Sequence, residues 1–232
     1  MDSVFIDLLT EIEYLYEHIQ EISSITHKEN SFSIAIFGSA RLQKSSPEFK
    51  FIVDLTQAIV EKTHADIVTG GGPGIMEAAN QGTMQVLDKQ WNNSIKNKKP
   101  KSYGLRVHLP FEKDGNAYLH VDKLHKYFTT RLQSFVNLIQ GAYVSTGGIG
   151  SLLELSLLWQ LKQVSHLPAD FPLVLSSIWK PVIDSFYDIT VNQRKETTLI
   201  NPNDMNLFQF SDDIDEIVDI FVQAQHKWKD HK

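Results

Sequence analysis

The sequence predicts an α/β fold, a doubly wound and mostly parallel sheet with helices on both faces. Three features carry that reading. Runs rich in β-branched and aromatic residues alternate with apolar residues at helical spacing along most of the chain. Glycine-rich turns stand where strands hand over to helices, which is where such sheets bind ligands. The chain has 232 residues, 42% hydrophobic and 22% charged, the composition of a globular domain with a full core.

Taken in order, residues 3–24 carry Phe5, Leu8, Leu9, Ile12, Leu15, Ile19 and Ile22, largely three or four apart with acids between. That spacing predicts an amphipathic helix packed on the domain or on a second subunit. Residues 26–30 are a polar linker. Residues 32–37 form a β-rich run that ends at Gly38-Ser39-Ala40-Arg41. A helix is expected over 47–63 and a second strand over 65–69. Gly70-Gly71-Gly72-Pro73-Gly74 follows and opens a helix over 75–89. Four glycines in five residues carry an entropic cost that a plain corner does not call for. A Lys- and Asn-rich loop spans 91–101, then a third strand 102–110, a loop 111–122 and a short strand 123–128. A helix from Thr129 places Arg131 near its start, where the helix dipole disfavours a cation unless it meets a ligand or an acid. A strand over 142–145 leads into Thr146-Gly147-Gly148-Ile149-Gly150-Ser151, with a helix over 152–163 and Glu154 in its first turn. A strand at 173–175, a helix over 179–188, a connection over 190–203, a strand at 207–210 and a helix over 212–229 complete the chain.

The bulk numbers exclude several classes. A net charge of −6 argues against a nucleic-acid partner. No apolar run approaches ~20 residues, so no membrane span is expected. The N-terminus lacks the basic region of a signal peptide, and a cytoplasmic location is expected. With no Cys there is no thiolate nucleophile or thiolate metal site. The nine His are scattered, so no metal is expected. A G-x-G-x-x-G fingerprint, a Walker Lys and a G-x-S-x-G elbow are all missing, which argues against a dinucleotide, P-loop hydrolysis and a serine triad.

What remains is an anion site. Gly38-Ser39, the 70–74 turn and Gly147–Ser151 offer backbone N–H groups and helix N-termini to one phosphate-sized group. Gly38, Ser39, Gly71, Gly72, Gly74, Gly147, Gly148, Gly150 and Ser151 are the candidate phosphate-binding residues. Arg131 and Glu154 are the candidates for chemistry at the other end of the ligand.

Three pieces, Phe37-Gly38-Ser39-Ala40-Arg41, the 70–80 stretch ending Met76-Glu77-Ala78-Ala79-Asn80, and Thr146 to Glu154, closely resemble the LOG family. Its members are nucleoside 5′-monophosphate phosphoribohydrolases, formerly described as lysine-decarboxylase-like. The resemblance spans roughly residues 32–165 and is closer to the bacterial nucleotide 5′-monophosphate nucleosidase branch than to the plant hormone branch. The family signature is P-G-G-x-G-T-x-x-E with an upstream Arg-Lys pair. Gly147, Gly148, Gly150, Glu154 and Arg131 match it; Thr146 stands for the Pro, Ser151 for the Thr and Leu132 for the Lys. The resemblance implies a single Rossmann-like nucleotide-binding domain over 31–232, preceded by the helix and linker of 1–30. It also implies a homodimer and cleavage of an N-glycosidic bond without a cofactor. Glu154 would act at the ribose, Arg131 at the departing base or the ribose phosphate, and Glu77 would line the pocket or the dimer side. Molybdenum-cofactor carrier proteins resemble the same glycine turns. The alternative reading is therefore a non-catalytic binding protein, a carrier of that kind or a nucleotide sensor.

Overall fold

The computed structural model describes residues 3–23, 31–90, 99–109 and 114–230. The strands are β1 (Ser33–Phe37), β2 (Asp66–Thr69), β3 (Ser102–Val107), β4 (Val121–His125), β5 (Gly141–Val144), β6 (Leu173–Leu175) and β7 (Gln209–Phe210). They form one sheet in the order β4-β3-β2-β1-β5-β6-β7, and every pairing is parallel. The helices are α1 (Ser3–Ser23), α2 (Pro47–Thr63), α3 (Ile75–Gln90), α4 (Phe128–Leu138), α5 (Ile149–Gln163), α6 (Lys180–Tyr187) and α7 (Ile214–Asp230).

Alternation along the strands builds two cores. Ile34 and Ile36 of β1 pack with Ile52, Leu55 and Ile59 of α2, Ile75 of α3 and Phe221 of α7 on one face. Ala35 and Phe37 point the other way and join Phe135 of α4, Leu155 and Leu158 of α5 and Ile183 of α6. A strand covered on both faces has no solvent side, which is why β1 reads as a continuous apolar run. Each Ile, Leu and Phe among them contributes about 1.5–3 kcal/mol through burial. α2 shows why the helices start where they do. The Ser46 hydroxyl accepts the Phe49 N–H at 3.2 Å, and Pro47 occupies the first turn, where no N–H is needed.

Most expected elements are present within a few residues. The strand placed at 123–128 is β4, two residues earlier at its start. In the 190–203 connection and just beyond it, short helical turns run over Asp188–Asn192 and Pro202–Leu207, so β7 keeps only two residues of the strand expected at 207–210. The linker at 26–30 and most of the 91–101 loop lie outside the described residues. No helix among the described residues is long and apolar enough to cross a membrane.

The order of pairing reverses between β1 and β5, whose carboxyl ends therefore diverge into helices on opposite faces. The turns there are interlocked. The Ser39 N–H donates to the Thr146 carbonyl at 2.9 Å, and the Ser39 carbonyl accepts the Ile75 N–H at 3.0 Å. Gly74 has φ +68°, and a Cβ on it would stand 2.3 Å from the Ser39 carbonyl oxygen. Gly74→Ala should therefore cost on the order of 3 kcal/mol, strain and clash combined. In thermal unfolding this reads as a loss of roughly 6–12 °C in Tm; an unchanged Tm would show that this junction is not rigid.

Candidate functional site

A cleft of about 490 Å³ opens at the β1–β5 reversal. Gly38 and Ser39 form one wall, and Gly148, Gly150 and Ser151 at the head of α5 form another. Arg131 and Glu154 border it as well. These seven sequence candidates come together from three separate stretches of chain.

α5 begins three residues before the expected 152, with Gly148 as its N-cap. Glu154 therefore lies in the second turn of the helix, not the first. Gly150 and Ser151 can be helical because nothing in the turn forces them out, so the glycine motif is partly helix. The first bond within the helix runs from the Leu152 N–H to the Gly148 carbonyl at 3.0 Å. The N–H groups of Ile149, Gly150 and Ser151 precede it and belong to the donors a helix leaves at its start.

The glycines fall into two classes. A Cβ on Gly38 would lie 2.4 Å from Ile75, and one on Gly147 would lie 2.2 Å from the Ser151 hydroxyl. Close packing of the chain on itself excludes a side chain at both. A Cβ on Gly148 or Gly150 would meet nothing within 4 Å.

Glu154 and Arg131 form a buried ion pair, with the guanidinium 3.1 Å from the carboxylate. Each residue is less than a tenth exposed. The Arg131 Nε–H donates to the Leu105 carbonyl at 2.7 Å, and Phe135 and Phe128 flank the guanidinium at 5.1 and 5.5 Å. Gly70 leaves space for it, since a Cβ there would stand 2.7 Å from an Arg131 nitrogen. Burial raises the pKa of Glu154 from its ordinary 4.5, although the charge and hydrogen bond of Arg131 pull it down.

The remaining candidates sit behind the cleft rather than in its wall. Gly71 packs against Gly104 and Arg106. The Gly71 and Gly72 carbonyls accept hydrogen bonds from the Asn116 side chain at 3.1 and 3.0 Å. Gly74 meets the Ser39 backbone, and Glu77 pairs with Lys44 at 2.7 Å. Their observed contacts shape the turn that supports Ser39. Asn116 also bonds to Asn80, whose amide reaches Ser102 and whose carbonyl accepts from Thr69, a buried polar network beneath the turn. Asn116 had no signal in sequence, being an isolated amide in a loop. The apolar part of the cleft, Met76, Val107, Leu109 and Phe128, was also unread, because each residue looks like ordinary helix or strand filling. Leu132 is half-buried on α4 beside Arg131. Among the described residues, no three His, Asp or Glu side chains are grouped to hold a metal ion.

A family model described as "possible lysine decarboxylase" matches residues 76–221. A search of curated proteins gives no match. Several solved structures share the fold. TM1055, a structural-genomics target, is 17% identical, with 83% of this chain and 99% of that one aligned at a TM-score of 0.57. The molybdenum cofactor carrier protein of Chlamydomonas reinhardtii is 13% identical over 84% of this chain and 98% of that one, at 0.56. The molybdenum cofactor binding protein of Rippkaea orientalis is 15% identical over 83% and 96%, also at 0.56. The family match covers more than half of the chain and takes in β3 to β7 with both members of the buried ion pair, so the protein belongs to the LOG family, described in its model as possible lysine decarboxylases.

Proposed function

We propose that the protein hydrolyses the N-glycosidic bond of a nucleoside 5′-monophosphate to the free base and ribose 5-phosphate. The observation that carries this reading is the uncovered head of α5, where a Cβ on Gly148 or Gly150 would meet nothing within 4 Å. Gly148 and Gly150 keep the N-terminus of α5 bare where the chain's own packing would admit a side chain. A bare helix start facing a cleft suits a phosphate. A carboxylate one and a half turns further along suits chemistry at the sugar that phosphate carries.

Breaking a C1′–N bond develops positive charge on the ribose ring. The Glu154 carboxylate stabilises that charge and takes a proton from the attacking water. The water oxygen bonds to C1′, the C1′–N pair of electrons leaves with the base, and the base nitrogen gains a proton. Arg131 holds Glu154 in place and keeps part of it ionised against the cost of burial. Binding energy from the phosphate positions the ribose, so it is used in the transition state rather than in mere retention.

The direct test incubates the protein with AMP, GMP, CMP and UMP and assays base and ribose 5-phosphate. Glu154→Gln should lower kcat about 10²–10⁴-fold while ribose 5-phosphate still binds. Tight binding of these nucleotides without turnover would move the site to the carrier or sensor reading.

Gly150→Ala separates site from fold. Alanine inside a helix is favoured over glycine by roughly 0.5–1 kcal/mol, so Tm should hold or rise. Phosphate-bearing ligands should lose at least about tenfold in affinity, about 1.4 kcal/mol. Unchanged affinity by calorimetry would place the phosphate elsewhere.

The raised pKa of Glu154 also has a signed consequence for stability. A carboxyl raised above its unfolded value of 4.5 contributes stability that is complete below that value. That contribution is lost as pH rises through the folded value. Glu154→Gln removes the dependence, so the Tm of the variant minus that of the wild type should climb with pH above 4.5. A difference that is flat with pH would show that burial does not raise this carboxyl.

A further inference from the structure

Three charged residues line the cleft, Arg41, Arg131 and Glu154. Two of them cancel, because the Arg131 guanidinium is paired with the Glu154 carboxylate at 3.1 Å. Among the described residues, no acid stands within ion-pair distance of Arg41. Two other cations on neighbouring stretches are already engaged, Lys44 with Glu77 and Arg106 with Asp122, each at 2.7 Å. The charge left over in the cleft is the guanidinium of Arg41.

The root of this side chain is fixed. The Ser39 hydroxyl accepts the Arg41 N–H at 3.1 Å. Ser39 is itself held on both sides, its N–H by the Thr146 carbonyl at 2.9 Å and its carbonyl by the Ile75 N–H at 3.0 Å. Ala40 packs closely on Gly74, where a Cβ would lie 2.9 Å from the Ala40 carbonyl carbon. The backbone of residues 39–41 is thus pinned, and the Arg41 side chain stands exposed at the mouth of the cleft.

Charge balance says what such a cation meets. A phosphate monoester carries about −1.5 to −2 charges near neutral pH. The head of α5, on the other wall, offers roughly half a positive charge. Arg131 cannot supply the rest without releasing a buried carboxylate, and Glu154 repels an anion in the same cleft. The chain as a whole, at −6, repels it too. A planar guanidinium brings a full charge and two parallel N–H donors matched to phosphate oxygens.

We propose that Arg41 clamps the phosphate of the ligand from the β1 side while the N–H groups at the head of α5 hold it from the other, and that this contact makes the cleft select a phosphorylated ligand over its unphosphorylated counterpart. The proposal rests on the reading of the cleft as a phosphate site and on no part of the hydrolytic step. It holds for a hydrolase and for a carrier alike. The exposed guanidinium acts first at capture, drawing the anion in against the field of the chain, and then as a contact in the bound state.

Calorimetry with ribose 5-phosphate on the full chain and its single variants tests this. Arg41→Ala should weaken binding about 10–100-fold. Arg41→Met, which keeps a long stem without the charge, should weaken it as much, and Arg41→Lys should recover part of the loss. Lys50→Ala removes the same charge from an exposed position on α2 and should change binding less than about twofold. The gap between wild type and Arg41→Ala should narrow as NaCl rises from about 0.05 to 0.5 M. Adenosine, which lacks the phosphate, should bind wild type and Arg41→Ala alike. Positions 41 and 50 are exposed, and matching Tm values confirm folding. Unchanged ribose 5-phosphate binding in Arg41→Ala would overturn the proposal. Full binding by Arg41→Met would assign the residue to packing, and an equal loss for adenosine would put it against the sugar or base; either overturns the proposal. No binding of ribose 5-phosphate by the wild type would remove the phosphate from the cleft and this contact with it. Turnover is read at no step, so a failure of the hydrolytic reading and a failure of this contact are separate results.

Discussion

Two opposite charges removed from water sit at the centre of this structure, and each is tolerable only because of the other. Leaving either one unpaired in that place would cost about 3–5 kcal/mol. Arg131 is fixed in turn by the Leu105 carbonyl and by two phenyl rings. It passes over Gly70, where any side chain would block it. β2, β3, α4 and α5 thus converge on a single guanidinium–carboxylate contact, and the cleft is the space those elements leave in front of it.

The same contact explains a division of labour in the glycine-rich turns. The 70–74 turn, the most conspicuous motif in the chain, serves as a brace. The Gly71 and Gly72 carbonyls are held by Asn116, Gly74 at positive φ makes room for the Ser39 backbone, and Gly70 makes room for Arg131. The 147–151 turn supplies the open donors. Sequence alone assigns both turns to the ligand because glycine enrichment looks the same whether the approaching atoms belong to the protein or to a phosphate. Only the positions of neighbouring atoms show that a Cβ on Gly74 would meet the chain itself and one on Gly150 would not.

Much of the fold was legible in sequence because its signals are local and redundant. Apolar runs, helical spacing and strand-to-helix glycines agree from β1 to α7. The pairing of Arg131 with Glu154 was half legible, since a cation at a helix start asks for an acid but does not name one. Asn80 and Asn116, which meet at 2.9 Å across 36 residues of sequence, were illegible, because an amide announces no partner. The head of α5 was misread by three residues. Gly148 and Gly150 suggest a loop, yet the helix absorbs Gly150, where the lost backbone entropy leaves room at the cleft.

The placement of the cleft also bears on how the chain folds. β1 is the central strand, and Ile34 pairs on one side with Ile67 but on the other with Gly141, 107 residues away. During synthesis the first half can form β1, β2 and their helices while one edge of β1 still lacks its neighbour. That edge is the segment Ser33-Ile34-Ala35-Ile36-Phe37, an apolar strand with unpaired backbone groups and so a template for wrong pairing. Loop closure over such a distance is slow. The cleft lies along the β1–β5 seam, which closes only after the chain from α2 to α4 has been made, and a chain delayed at that seam has no protected centre.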